Sequence, residues 1–209
     1  VENGEVLVVG GQNGLTPLAT GERWHHGGSW STLGSVLSVA RFGHAAARLT
    51  DGSVLIAGGQ TQVVPAAYTA TAVRWLPGTR EFVDTDPMLT SRRSFTLTLR
   101  QNGSVFAAGG RNASGTLSSA ERYVQGTGWS GLPDLPSGRS GHSAALLPDD
   151  RVLLSGAGAG AAATVLDEFD FGLNNWASVE TVAARNSHTV TLLPGGRVLL
   201  VGGLDAGGA

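Results

Sequence analysis

The sequence predicts an all-β chain made of four copies of a four-stranded antiparallel unit. Three observations carry that prediction. Short apolar segments ending in paired glycines recur along the chain, a tight-turn dipeptide stands before each, and a pair of aromatic residues follows four of the five. Self-similarity at a fixed period marks an architecture in which each repeat is one supersecondary unit. Composition agrees, because 32 glycines suit many tight turns while 41% hydrophobic residues against 14% charged ones can supply a core.

The apolar segments are Val6-Leu7-Val8-Val9-Gly10-Gly11, Val54-Leu55-Ile56-Ala57-Gly58-Gly59, Val105-Phe106-Ala107-Ala108-Gly109-Gly110, the decayed copy Val152-Leu153-Leu154-Ser155-Gly156-Ala157, and Val198-Leu199-Leu200-Val201-Gly202-Gly203. Their first glycines recur with a period of roughly fifty residues. Before them lie Asn3-Gly4, Asp51-Gly52, Asn102-Gly103 and Gly195-Gly196. These have the chemistry of a two-residue hairpin loop with positive φ at both positions. Asp149-Asp150 takes that place in the fourth copy with weaker turn chemistry.

Upstream of four of the turns lies a second strand, expected over about residues 42–49, 94–100, 141–147 and 187–193. His44, Phe95, His142 and His188 each precede the first glycine of their copy by 14 residues. A constant spacing means that this hairpin tolerates no insertion. Its Ala, Ser and Thr residues suit a crowded inner end of the unit. Downstream come Trp24, Trp75, Tyr123 and Phe169, and then Trp30, Phe82, Trp129 and Trp176. Glu22, Val73, Glu121 and Asp167 stand two residues before the first ring of each pair. Large rings on the outer strands would fill the wedge between neighbouring units.

Arg-x-Gly-His, Asp-Gly, diglycine, Glu-x-aromatic and Trp, recurring in that order, resemble the kelch repeat over nearly the whole chain. The resemblance implies a β-propeller of four-stranded blades, of the type also found in the central domain of galactose oxidase. It divides residues 1–209 into a partial blade 1–40, blades at about 41–91, 92–138 and 139–184, and a partial blade 185–209. Kelch propellers usually have six or seven blades, so the expectation is an arc of such a ring with further blades missing. Two departures stand out: Phe95 replaces His, and Gly156-Ala157 opens a low-complexity stretch to Ala163 where the fourth unit is expected to be irregular.

The net charge of −2 gives no general pull toward nucleic acid or an anionic membrane. There is no Cys, which removes disulfide and thiolate chemistry, and no apolar run of membrane-span length. No Gly-rich phosphate loop on a helix and no nucleophile elbow is present. Galactose-oxidase-like copper enzymes need a Tyr cross-linked to Cys, and Tyr68 and Tyr123 have no Cys to join. Asp149, Asp150, Asp167, Glu168 and Asp170 read as turn and rim residues. His44, His142 and His188 sit one per unit at one repeat position, which favours a structural role over a three-His metal site. No cofactor or metal is expected.

The resemblance places the loops after the diglycines and those entering the inner strands on one face. That face would carry Gln12, Asn13, Gln60, Arg111 and Asn112 from the first loop set, with Arg41, Arg92, Arg93, Arg139 and Arg185 from the second. A ring of guanidiniums suits carboxylates or acidic sugars. An Arg repeated in every unit also suits a scaffold role, pairing with loop carbonyls. Arg93, Arg111 and Asn112 have no equivalents in the other copies and stand out as site candidates. The expected function is a non-catalytic scaffold for a protein or glycan ligand. Its alternatives are the propeller part of a secreted carbohydrate-active or oxidase-like enzyme and a structural spacer of a surface protein. The style of the repeat suggests a bacterial, extracellular protein.

Overall fold

A computed structural model describes residues 4–156, 165–183 and 185–204. Their regular structure is all β, with no α-helix. The chain forms two compact units, Val1–Arg93 and Ser94–Ala209.

In the first unit, Val6–Val9, Thr20–His25 and Ser29–Ser35 form a three-stranded sheet in that order. Beyond it Ala45–Arg48, Val54–Ala57, Ala72–Leu76 and Glu81–Thr85 form a four-stranded sheet in chain order. The second unit repeats the pattern twice. Thr96–Leu99, Val105–Ala108, Ala120–Val124 and Gly128–Leu132 make one sheet. Ser143–Leu146, Val152–Ser155, Val165–Asp170 and Asn175–Thr181 make the next. Thr189–Leu192 then pairs with Val198–Val201. All pairings are antiparallel. Each of the three four-stranded sheets therefore runs inner strand, diglycine strand, first aromatic strand, second aromatic strand, as the repeat requires.

The aromatic markers face each other across the outer pair. Trp24 lies opposite Trp30, Trp75 opposite Phe82, Tyr123 opposite Trp129 and Phe169 opposite Trp176. The first ring of the pair is buried in three sheets, at Trp75, Tyr123 and Phe169. The wedge is clearest between the two full sheets of the second unit. Phe106 of one stacks on Phe169 of the other at 5.4 Å, and Trp176 closes on Phe169 at 4.9 Å. The Trp176 indole N–H donates to Pro133 O of the neighbouring sheet at 2.9 Å. Trp129, by contrast, is only half buried, against Tyr123. Val105–Ala108 are fully buried, Phe106 and Ala108 against Val152, Leu154 and Phe169 of the following sheet.

Two expectations change. The inner strands begin at Ala45, Thr96, Ser143 and Thr189, two or three residues after the expected starts. Gly43, Ser94, Gly141 and Ser187 have φ near +61°, +53°, +70° and +54°, which breaks the extended backbone before the strand. The turns are also longer than two residues. Leu49 N–H bonds Ser53 O and Gly52 N–H bonds Leu49 O, which closes a three-residue loop with Gly52 as a left-handed bulge. Asp51 Oδ1 accepts from Ser53 N–H and Oγ–H, holding the turn from the side. The same loop recurs at Arg100–Ser104 and Leu147–Arg151. In the latter, Asp150 takes the glycine place at φ +66°. Its carboxylate binds Arg100 and the Gln101 amide of the neighbouring sheet, which offsets that conformation. The stretch Ala157 to Ala163 lies outside the described residues. The sheet that flanks it keeps all four strands, with one register shift between Leu166 and Asp167.

Candidate functional site: the glycine corners and the loop hairpins

Two layers meet at the end of each diglycine strand. The lower layer is a repeated joint. Gly10 and Gly11 both have positive φ, and a Cβ on Gly10 would lie 2.7 Å from Arg41 O and 2.9 Å from the His44 ring. At Gly109 the corresponding neighbours are Arg139 O and the His142 ring, and at Gly156 they are Arg185 O and the His188 ring. The second glycine donates its N–H to the same arginine carbonyl, Gly11 to Arg41 at 2.8 Å and Gly110 to Arg139 at 2.7 Å. Gly59 does so to Arg92 at 2.7 Å. The diglycine is thus the seat on which the Arg-x-x-His segment of the next repeat rests, and only a residue without Cβ allows that approach.

The repeated arginines are part of this joint. Arg41 is fully buried, and its guanidinium donates to Gly58 O, Thr71 O, Thr71 Oγ1 and Val39 O at 2.6–3.1 Å. Arg139 is fully buried and paired with the buried Asp167, whose other oxygen accepts from Ser178 Oγ at 2.6 Å. Arg92 is equally buried. Burial pulls the Arg41 and Arg139 guanidiniums below their ordinary range, and nearby Asp84 and Asp167 respectively oppose it. Asp167 is therefore no rim residue: it stands where Val73 stands in the earlier copy, and there Arg41 turns to carbonyls and a threonine instead. Arg185 is half buried and bonds Gly202 O at 3.2 Å. In this conformation Arg41, Arg92 and Arg139 brace the fold rather than line a surface.

The histidines belong to the joint too. His142 Nε2 lies 3.1 Å from Thr96 Oγ1, and His188 Nε2 lies 2.9 Å from Ser155 Oγ, each a contact to the preceding sheet. Burial, with help from Arg41, pushes His44 down to about 4. His188 is lowered by burial and then by Arg185. Among the described residues no group of three or more His, Asp or Glu is placed to hold a metal ion.

The upper layer was not legible as structure. Past the first three diglycines the chain forms a small hairpin: Gln12–Asn13 with Thr16–Pro17, Gln60–Gln62 with Ala67–Tyr68, and Arg111–Asn112 with Gly115–Thr116. The second glycine closes each one, accepting at its carbonyl from Leu18, Thr69 and Leu117. Gln12, Asn13 and Arg111 are exposed there, and Arg111 has no ion-pair partner among the described residues. Asn112 shapes its turn, its Oδ1 accepting from Ser114 N–H at 2.9 Å. Gln60 is buried and bonds Gln62 O, so its amide is turned inward. Arg93 is half buried, with its guanidinium over the Phe42 ring at 5.7 Å. Arg93 lies in the first unit, Arg111 and Asn112 in the second. The hairpin tips of the first unit carry Leu15 and Val64, 71% and 77% exposed, which sequence reasoning passed over because short polar loops mask them.

Four-stranded sheets in one order, joined at glycine corners, define the blades of a kelch-type β-propeller. The chain is similar to a solved structure titled Structure of YjhT, with a TM-score of 0.81 and 16% identity over 99% of this chain and 76% of that one. It is 29% identical over 130 residues to Kelch-like protein 33 of Homo sapiens, covering 62% of this chain and 24% of that protein. It is 30% identical over 137 residues to Kelch-like protein 26 of Danio rerio, covering 64% and 22%. The match thus spans about a quarter of the length of these curated relatives. No family model matches the chain. Among the described residues no helix is long and apolar enough to cross a membrane.

Proposed function

We propose that the chain is a non-catalytic binding scaffold that presents its loop hairpins to a protein or glycan ligand with acidic groups. The observation that carries the reading is the division of the arginines. Three of the four repeated arginines, Arg41, Arg92 and Arg139, are buried in joints, while Arg93 and Arg111, which break the repeat, stand on the loops. In repeat arrays, positions that differ between copies are free to serve a ligand. Exposed Leu15 and Val64 on the loop hairpins of the first unit favour a protein over a glycan, because apolar tips add contact area a sugar uses poorly. Exposure at a cell surface belongs to the same proposal.

The test is a panel of acidic and neutral peptides and glycans, read by affinity at several salt concentrations. Arg93→Ala and Arg111→Ala, made singly because they lie in different units, should each weaken acidic ligands and flatten the salt dependence. Neutral ligands should be unaffected. Binding that survives both substitutions overturns the assignment. Chemical turnover of a bound glycan would point instead to the propeller part of an enzyme, and no binding at all to a spacer.

A further inference from the structure

An asparagine followed by glycine is chemically reactive, because glycine has no side chain to shield its backbone nitrogen from the neighbouring amide carbon. The sequence holds three such pairs, Asn3-Gly4, Asn13-Gly14 and Asn102-Gly103. Asn3 lies outside the described residues. The fold treats the other two in opposite ways. Asn102 is tied into its turn: its Oδ1 accepts from Ser104 N–H at 3.0 Å and from Ser104 Oγ–H at 2.7 Å. The Gly103 nitrogen is committed too, donating to Arg100 O at 3.0 Å. Asn13 and Gly14 instead stand exposed at the tip of the first loop hairpin, where Asn13 pairs with Thr16 and Gly14 begins the turn. Among the described residues the Asn13 amide has no hydrogen-bond partner and the Gly14 N–H has no acceptor. Nothing lies within 4 Å of the Gly14 Cβ site, so no neighbouring group crowds the turn.

We propose that Asn13 is a self-modification site: its side chain cyclises onto the Gly14 nitrogen and is converted to an acid, while the same dipeptide at Asn102 is locked by its turn. The Gly14 N–H gives its proton to hydroxide, and the nitrogen attacks the Asn13 amide carbon. A carbon–nitrogen bond forms there, the bond to the side-chain nitrogen breaks, and that nitrogen takes a proton and leaves as ammonia. Water then opens the five-membered imide at either carbonyl. Opening at one restores the chain with Asp in place of Asn13. Opening at the other leaves isoaspartate, whose backbone runs through the former side chain and is one methylene longer. Water is the only co-reactant, and nothing is oxidised or reduced. Both products put a carboxylate beside Leu15, which is 71% exposed. The isoaspartyl form also spoils the Asn13–Thr16 pairing, because the extra methylene breaks the register of a two-residue strand. At Asn102 the bonds to Ser104 and from Gly103 must be given up before the ring can close. That requirement should slow Asn102 by about tenfold or more.

The test needs no ligand, so it stands apart from the binding experiment on Arg93 and Arg111. The intact chain is incubated in mildly alkaline buffer, sampled over time and mapped by peptide mass spectrometry, with isoaspartate read by enzymatic methylation. Acid should accumulate at Asn13 about tenfold or more faster than at Asn102, with both Asp and isoaspartate formed. The same incubation in concentrated urea removes the turn at Asn102, and there the two sites should react at similar rates. Gly14→Ala shields the nitrogen with a methyl group and should slow Asn13 while leaving Asn102 unchanged. The comparison within the unsubstituted chain keeps the result from hanging on that variant. Equal rates at the two sites in the folded chain overturn the proposal. An Asn13 preference that persists undiminished in urea does so too, because it would come from local sequence and not from the fold. Conversion to Asp with no isoaspartate also overturns it, since the imide would then not be on the path.

Discussion

Replacing Gly109 by Ala puts a methyl group 2.6 Å from Arg139 O and 3.0 Å from the His142 ring. Two costs follow. The residue sits at φ +58°, and a left-handed conformation costs an L-residue about 1 to 2 kcal/mol. The methyl also overfills the joint. Arg139 O is backbone and cannot swing aside, so the two blades must separate, at about 1 to 3 kcal/mol for an overpacked core site. Gly126 supplies the control. It has φ +81° in a turn of the same unit, with nothing within 4 Å of its Cβ site, so Gly126→Ala carries only the first cost. The difference between the two variants is then about 2 kcal/mol, which at a urea m value of about 2 kcal/mol/M separates their midpoints by roughly 1 M. Urea unfolding followed by tryptophan fluorescence measures it. Equal midpoints for the two variants would refute the claim that the diglycine is required by the close approach of the next blade.

The buried pair predicts an asymmetry: Asp167→Asn should destabilise by about 3 to 5 kcal/mol because it strands the Arg139 guanidinium, whereas the double change Arg139→Met with Asp167→Leu should cost less than the single one. A chemical denaturation cycle over the three variants checks this, and a double variant as unstable as the single would sink it. His44 gives a pH dependence. Unfolded, it takes a proton near its ordinary 6.5, and folded it stays neutral down to about 4. Between those values the unfolded state holds more protons, so stability is full above pH 6.5 and falls as pH drops, with the loss complete below about pH 4. The His44 term amounts to about 3 kcal/mol at most. His44→Gln should therefore flatten the fall in midpoint between neutral and mildly acidic pH, and an unchanged slope would show that His44 is protonated in the fold.

The blade order was legible because each strand carries its own chemical marker. Paired glycines are required by the backbone approach, rings by the wedge, and the fixed spacing of His44 from Gly58 by a hairpin without slack. What escaped was conformation inside the markers. Asp-Gly reads equally well as a two-residue or a three-residue loop, and only the Leu49–Ser53 bonding decides. The entry to the inner strands reads as extended, yet Ser94 and Ser187 hold positive φ where other copies have glycine. The loop hairpins are two-residue strands whose pairing is set by the second glycine's carbonyl, a partner that sequence periodicity does not reveal. Asp167 looked like a rim acid because its neighbours are charged, but alternation along Val165–Asp170 turns it inward while Glu168 meets Arg151 at the surface.

The adjacent pair Arg92-Arg93 shows why repeat position says more than residue type about the site. Both are arginines in one polar stretch, and composition treats them alike. Arg92 occupies the place of Arg41 and Arg139, so its carbonyl is committed to Gly59 and its side chain is buried. Arg93 occupies a place that holds Phe42 in one copy, Ser140 in the next and Asn186 in the last, so nothing in the joint depends on it. Its guanidinium rests on Phe42 with Nε unbonded among the described residues. A charge in the joint must be neutralised or hydrogen-bonded by the protein itself, since leaving it unpaired would cost several kcal/mol. A charge off the joint has no such obligation, and a ligand can complete it.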